Sequence, residues 1–463
     1  MNTIFKSLIG DKAFYSRLFA VMTPVLIQNV ITNFVSLLDN VMVGQIGTEP
    51  MSGVAIVNQL FFVFNMCVFG GLAGAGIFTV QYYGKNDLEG IKHTFRMKVY
   101  LAAVAAVVFF AAFIWKGEEL IKLFLHEGGE SMNLAATLNY GKDYMKVMLW
   151  QIVPFAVMQI YASTLRETGE TMLPMKAGVI AVFVNLIFNY IFIFGKFGAP
   201  AMGVVGAAVA TVIARFVECF IVVIWTHRHK EKNKYIVNIY SSLKVPPALV
   251  KRVIIKSTPL LLNEIFWSSG MAVLNQCYSM RGLEAVSAVN IQYTVSELFF
   301  CGLYAMGTTV SILVGALLGA GEIERAVDED RKLIAFSVFL CVLIGAVMAI
   351  LSPYIPELYN TTDNIKHIAT ELLFVTAVLL PMFSFRNACY FTLRSGGKTI
   401  ITFVFDCLFV WTVAIPIAFV LSRCTNIGIL PLFIIINCLD FIKCFIGYIL
   451  VKKRKWVVNL VNE

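Results

Sequence analysis

Charge is scarce in this sequence. Of 463 residues only 14% are Asp, Glu, Lys or Arg, whereas a soluble globular domain carries about 25%. No stretch is polar enough to form a large soluble domain, and no segment alternates apolar and polar residues as a lipid-facing strand would. The chain contains no HExxH, no Walker A motif and no GxSxG, and its histidines (His93, His126, His227, His229, His367) fall between the apolar runs. That removes the usual signatures of hydrolysis and nucleotide use. The ten cysteines include no CxxC. Nearly all of them sit within apolar runs, where cysteine behaves as a small hydrophobe, so neither a disulfide framework nor a thiolate metal site is expected.

What is present is hydrophobicity, at 59% of residues with a mean hydropathy of +0.79. It is gathered into twelve runs of membrane-spanning length. They lie near 15–46, 52–83, 94–115, 135–164, 175–195, 202–226, 251–280, 284–318, 330–352, 367–393, 399–422 and 427–451. Backbone in lipid must satisfy itself, so the expectation is an all-α membrane protein. The lead "MNTIFKSLIGDKAFYSRLF" is amphipathic and shows no small-residue cleavage site. The net charge of +9 raises the question of nucleic acid. Basic residues, however, concentrate in alternate loops and at the end, as in "RMK", "HRHKEKNK" and "KKRK", which places both termini in the cytoplasm. Anionic headgroups are the expected partners of those residues, and no nucleic acid is expected.

The sequence repeats itself. With Pro24 laid on Pro259, an offset of 235 residues, Asn40 meets Asn275, Gly47 meets Gly282, Glu49 meets Glu284, Gly84 meets Gly319 and Glu89 meets Glu324. Further on, "LRETGET" at 165–171 lies on "LRSGGKT" at 393–399. Six spans followed by a related six make a parallel repeat with its axis along the membrane normal. The expected organisation is an N-lobe over 1–225, a basic cytoplasmic linker over 226–256 and a C-lobe over 257–463. A duplicated bundle of this kind suits a transporter that rocks between two openings, and without an ATP site transport draws on an ion gradient. A channel or purely structural bundle is the competing class.

Ionisable residues inside the spans are costly unless paired or used. Arg215 and Glu218, and likewise Asp440 and Lys443, stand three apart on their own helices and can neutralise each other there. Glu264, Arg386 and Asp406 fall at a common depth, roughly 12 Å from the cytoplasmic end. Arg386 is therefore expected to be shared by Asp406 and Glu264. The alternative is that one acid pairs while the other faces a cavity. Glu297 is a further acid of this half. Asp39 in "SLLDNVMVG" has no cation beside it on its own helix. Asn185 and Asn189, four apart in "VNLIFNYIFIFG", reach the same depth, and Asn33 lies nearly two turns below Asp39. One carboxylate and carboxamide oxygens form a set that Na⁺ or a proton could use, or else a structural hydrogen-bonded contact. "LFFVFNM" at 60–66, Phe300, Tyr304 and Met306 are candidates to line a central cavity, although at helical spacing such residues more often pack.

Several stretches together resemble the multidrug and toxic compound extrusion family. They are "PVLIQNVITNFVSLLDNVMVGQIG", "VQYYGKNDLEGIKHTFR", "LRETGETMLPM", "NYIFIFGKFGAPAMGVVGAAVATVIAR", "GALLGAGEIERA" and "LRSGGKT". The resemblance spans essentially the whole chain. It implies two six-helix lobes forming an outward-opening V, and a cation-coupled antiporter that exports hydrophobic, often cationic drugs in exchange for Na⁺ or H⁺. The helix 1 acid of the family falls on Asp39 and the helix 5 polar pair on Asn185 and Asn189, where some members have Asp at the second position. The helix 7 acid of many members falls on Trp267, with Glu264 one turn earlier, and the helix 10 acid falls on Phe383, with Arg386 one turn on. These departures speak against a C-lobe cation site. Short loops and the lack of a targeting peptide suggest a bacterial inner membrane, and a monomer without a cofactor is expected. Export of an endogenous metabolite or lipid-linked precursor is the alternative.

Overall fold

The computed structural model describes residues 8–124, 134–359 and 361–462, and the side chains of Ser36, Leu37, Asn40, Val41, Thr48 and Phe124 are outside that description. The first residues of the amphipathic lead and the loop position His126 therefore lie outside the described residues. No strand occurs among those described.

The described residues form twelve long helical elements: α1 Lys12–Gly44, α2 Thr48–Gly84, α3 Leu88–Phe124, α4 Leu134–Glu167, α5 Met172–Phe194, α6 Val204–Arg228, α7 Pro247–Ser279, α8 Leu283–Ala320, α9 Ile323–Leu351, α10 Asp363–Ser395, α11 Thr399–Cys424 and α12 Ile429–Lys452. Eleven are long and apolar enough to cross a membrane. The twelfth, α7, has the length, but Asn263, Glu264, Ser268, Ser269, Asn275 and Gln276 dilute its apolar character.

Prolines explain the irregular helices. Pro24 in α1 and Pro259 in α7 occupy the same place in the repeat, and each removes one backbone hydrogen bond. In α4 a 3₁₀ turn at Leu149–Gln151 precedes Pro154. In α11 the wider π-helical stretches Val404–Leu408 and Val410–Ala414 precede Pro416. Relaxing the turn before a proline relieves the clash of its ring with the carbonyl four residues back.

By contacts the chain divides into one unit of residues 1–26, 80–87 and 254–463, and another of residues 27–79 and 88–253. Within the second unit, Phe61, Phe64, Phe109, Phe113 and Phe155 pack ring on ring, with centroids 5.0–6.5 Å apart. Such pairs contribute about 0.5–1.5 kcal/mol each. This turns part of the "LFFVFNM" run into packing: Leu60, Phe61 and Phe64 are buried, while Phe62 is exposed. In the first unit, Met306 is likewise wholly buried, in a cluster with Leu18, Met22, Val310, Leu333 and Trp456. It does not line a cavity, because its position on α8 faces α1 and α9.

Candidate functional site

Small residues bring the polar groups of the second unit together. The α6 segment "VVGAAVA" puts Gly206 against the carbonyl of Phe192 on α5, where a Cβ would stand 2.6 Å from that oxygen. Close approach of this kind is what small residues allow between helices in lipid. Likewise, Gly178 of α5 meets Gln28 of α1. From that contact Asp39 is eleven residues on along α1 and Asn189 eleven residues on along α5. Eleven residues are about three turns, or 16 Å, so the two side chains return to the shared face at one level. Replacing Gly206 by valine is expected to push α5 from α6. The expected cost is about 1–3 kcal/mol, read as a lower melting temperature of the purified protein.

At that level Asn189 Nδ2 donates to Asp39 Oδ1 at 2.7 Å. The Asn185 carboxamide completes the network: its nitrogen donates to both Asp39 oxygens, at 2.9 and 2.8 Å, and its oxygen accepts from Thr211 Oγ1 at 3.2 Å. Asn189 Oδ1 is buried and accepts no hydrogen bond among the described residues, a costly state that a donor or cation would relieve. The oxygens present are hard donors of the kind Na⁺ takes.

Asp39 is half-buried, Asn185 and Asn189 are buried, and Asn33 stands six residues before Asp39 on α1 and is half-buried. Thr211 of α6, and Tyr144 of α4, which bonds Asn58 Oδ1 at 3.1 Å, belong to the same neighbourhood. Sequence reasoning missed both. Thr211 lies one turn before Arg215 on an otherwise apolar helix, and that was the available signal. Arg215 pairs with Glu218 at 2.9 Å, as their spacing leads one to expect.

The first unit corrects the expected pairing. Arg386 of α10 is not shared by Asp406 and Glu264; it ion-pairs with Asp440 of α12. Asp440 and Lys443 approach to 3.6 Å but do not simply neutralise each other, because Lys443 Nζ also reaches Asp406 Oδ1 at 3.3 Å. The physical reason is rotational. The π-helical turn around Asp406 adds a residue to the turn and directs its carboxylate toward α12. Two cations and two anions thus balance across α10, α11 and α12. Asn263 Nδ2 adds a donor to Asp406 Oδ2 at 3.4 Å. Glu264 makes no ion pair among the described residues, and its nearest charges are those of Arg394 and Asp406. Glu297 of α8 accepts from Tyr304 OH at 3.3 Å. Phe300 lies between them on the same helix face, and its ring meets those of Tyr304 and Phe383 edge to face. No group of three or more His, Cys, Asp or Glu able to hold a metal occurs among the described residues.

Comparison with known proteins bears on both halves. The MatE family model matches residues 24–191 and 259–420, one match in each repeat. A protein of Thermotoga maritima described as a probable multidrug resistance protein, NorM, is 25% identical over 411 residues, covering 88% of this chain and 85% of that protein. A Bacillus subtilis protein described as a probable multidrug resistance protein, YoeA, is 24% identical over 426 residues, covering 89% and 88%. Among solved structures, the outward-facing conformation of a multidrug resistance MATE family transporter superposes with a TM-score of 0.85 at 18% identity, covering 97% of each chain. The matches in both repeats and the shared helical fold give one answer: the chain belongs to the MatE family and is a multi-pass membrane transporter of the multidrug efflux class, not an enzyme.

Proposed function

We propose that this transporter exports amphipathic organic compounds, cations among them, in exchange for Na⁺ or H⁺ bound at Asp39. The observation that carries this reading is the arrangement around Asp39, where a carboxylate meets the carboxamides of Asn185 and Asn189 and the buried Asn189 Oδ1 accepts no hydrogen bond among the described residues. Binding and release of the driving ion then become a local change of hydrogen-bond partners. Asn33, six residues before Asp39 on α1, is a further polar group of this site. The two lobes, 1–225 and 257–463, rock about the repeat axis with 226–256 as the strap between them. Both termini lie in the cytoplasm, by the distribution of basic residues, the membrane is a bacterial inner membrane, and the working unit is a monomer.

For the substrate, the α8 face bearing Tyr293, Glu297, Phe300 and Tyr304 offers a carboxylate among aromatic rings, the chemistry that receives an organic cation. Tyr293 and Tyr304 remain 48% and 38% exposed, enough to meet a ligand. Glu264 offers a second acid in the same half. Arg386 is already neutralised by Asp440, which leaves little to attract a polyanionic, lipid-linked precursor and favours drugs over that alternative. The relatives from Thermotoga maritima and Bacillus subtilis are described as multidrug resistance proteins.

Everted vesicles test the reading. Ethidium movement is followed under an imposed Na⁺ gradient and then under a pH gradient. One of the two gradients is expected to drive it, and indifference to both would leave a channel or structural role.

A further inference from the structure

The two repeats meet where α2 crosses α8. A Cβ on Gly84 of α2 would collide with the carbonyl of Ala316 on α8, and a Cβ on Gly319 of α8 would collide with the carbonyl of Gln81 on α2. Under the offset of 235, Gly84 corresponds to Gly319 and Gln81 to Ala316. The two contacts are therefore one contact and its symmetry mate, as across any two-fold interface. This crossing is the point through which the repeat axis passes. The symmetry is not complete: where α8 has Ala316, α2 has Gln81.

Gln81 is wholly buried, and both ends of its carboxamide are engaged. Its Nε2 donates to the carbonyls of Ser395 at 3.1 Å and Val458 at 3.2 Å, and its Oε1 accepts from the Leu460 amide at 2.7 Å. The segment after α12 thus crosses the end of α2 and is held there. Lys85 donates to the Val461 carbonyl at 3.2 Å. The same segment holds α8 and α9: Asn459 donates to the Gly319 carbonyl at 3.4 Å, and Arg454 pairs with Glu324 at 2.8 Å. Trp456, 1% exposed, seats it against the backbone of Gly396, where any side chain would collide, and Leu460 covers Gly397.

We infer that residues 453–462 form a latch that ties the end of α2 to the end of α8, and that transport must release it. The inference rests on the rocking cycle and cytoplasmic face proposed above. When the lobes turn about the repeat axis, the ends that meet at the axis on that face must separate to admit substrate. A strap fixed to both ends opposes the separation. Gln81 is its keeper, a positioning residue that touches neither the ion nor the substrate.

The full chain, with the exposed Cys424 replaced by serine, is spin-labelled at Tyr83→Cys and Ala320→Cys, both exposed positions at the two helix ends. The distance distribution is then read by double electron–electron resonance. Two variants are compared with it, Gln81→Leu and a chain stopped after Lys455. Each is expected to raise the longer-distance fraction several-fold. Gln81→Leu keeps Trp456 in place, so it remains informative if the shortened chain does not fold. An unchanged distribution in Gln81→Leu overturns the latch, whatever the shortened chain does. Since the readout needs neither ion nor substrate, it stands even if coupling at Asp39 fails.

Discussion

Asp39→Asn is expected to abolish gradient-driven export while leaving the protein inserted and folded. The substitution keeps the size of the side chain and an oxygen that can accept from Asn189, so packing of α1 against α5 is preserved. It removes the carboxylate of the network, the group that can bind and release a cation or a proton. Initial rates of ethidium export in vesicles, normalised to the amount of protein, are expected to fall by well over ten-fold and to lose their dependence on the driving gradient. Asn185→Ala removes a donor to both Asp39 oxygens, so it should weaken export less while shifting the driving-ion concentration needed for half-maximal rate. Equal losses in both variants would mean that Asn185 does nothing beyond filling space.

The second large effect concerns stability. Lys443→Met leaves Asp406 and Asp440 to share Arg386, in a setting where Lys443 is 2% exposed. Breaking a buried ion pair by removing one partner costs about 3–5 kcal/mol, because the remaining charge has lost its compensation. The purified variant is therefore expected to melt well below the parent. Adding Asp406→Asn removes the orphaned charge and should recover much of the loss, whereas Asp406→Asn alone leaves Lys443 with Asp440 and should cost less than Lys443→Met. If the single and double variants melted alike, the four charges would not be acting together.

These two sites differ in how well the sequence announced them. Asp39, Asn185 and Asn189 could be brought together by counting, since depth along a straight helix is 1.5 Å per residue and α1 and α5 run the same way. Their rotational match follows from Gly178, whose contact with Gln28 lies three turns earlier on both helices. Counting fails where the helix is irregular. Depth put Glu264, Arg386 and Asp406 on one level, but depth does not fix direction. The π-helical turns before Pro416 rotate Asp406 toward Lys443, and Arg386 finds Asp440 on α12. Thr211 and Tyr144 were invisible for another reason: a hydroxyl in an apolar run carries no cost large enough to demand a partner. Met306 shows the limit of reading rows of large side chains, since the helix face it occupies is set by α1 and α9 and not by its own sequence. The duplication, by contrast, was legible from Pro24, Gly84 and their counterparts, and the crossing of Gly84 and Gly319 is its physical expression.

The most direct test of ion binding at Asp39 is to follow the ion itself. Purified protein in weak buffer is titrated with ethidium while a pH electrode and, in parallel, radioactive sodium binding report release. The wild type should release one of the two ions in proportion to the ethidium bound, and Asp39→Asn should bind ethidium and release neither. Equal release from Asp39→Asn would contradict the assignment and move the coupling site elsewhere in the chain.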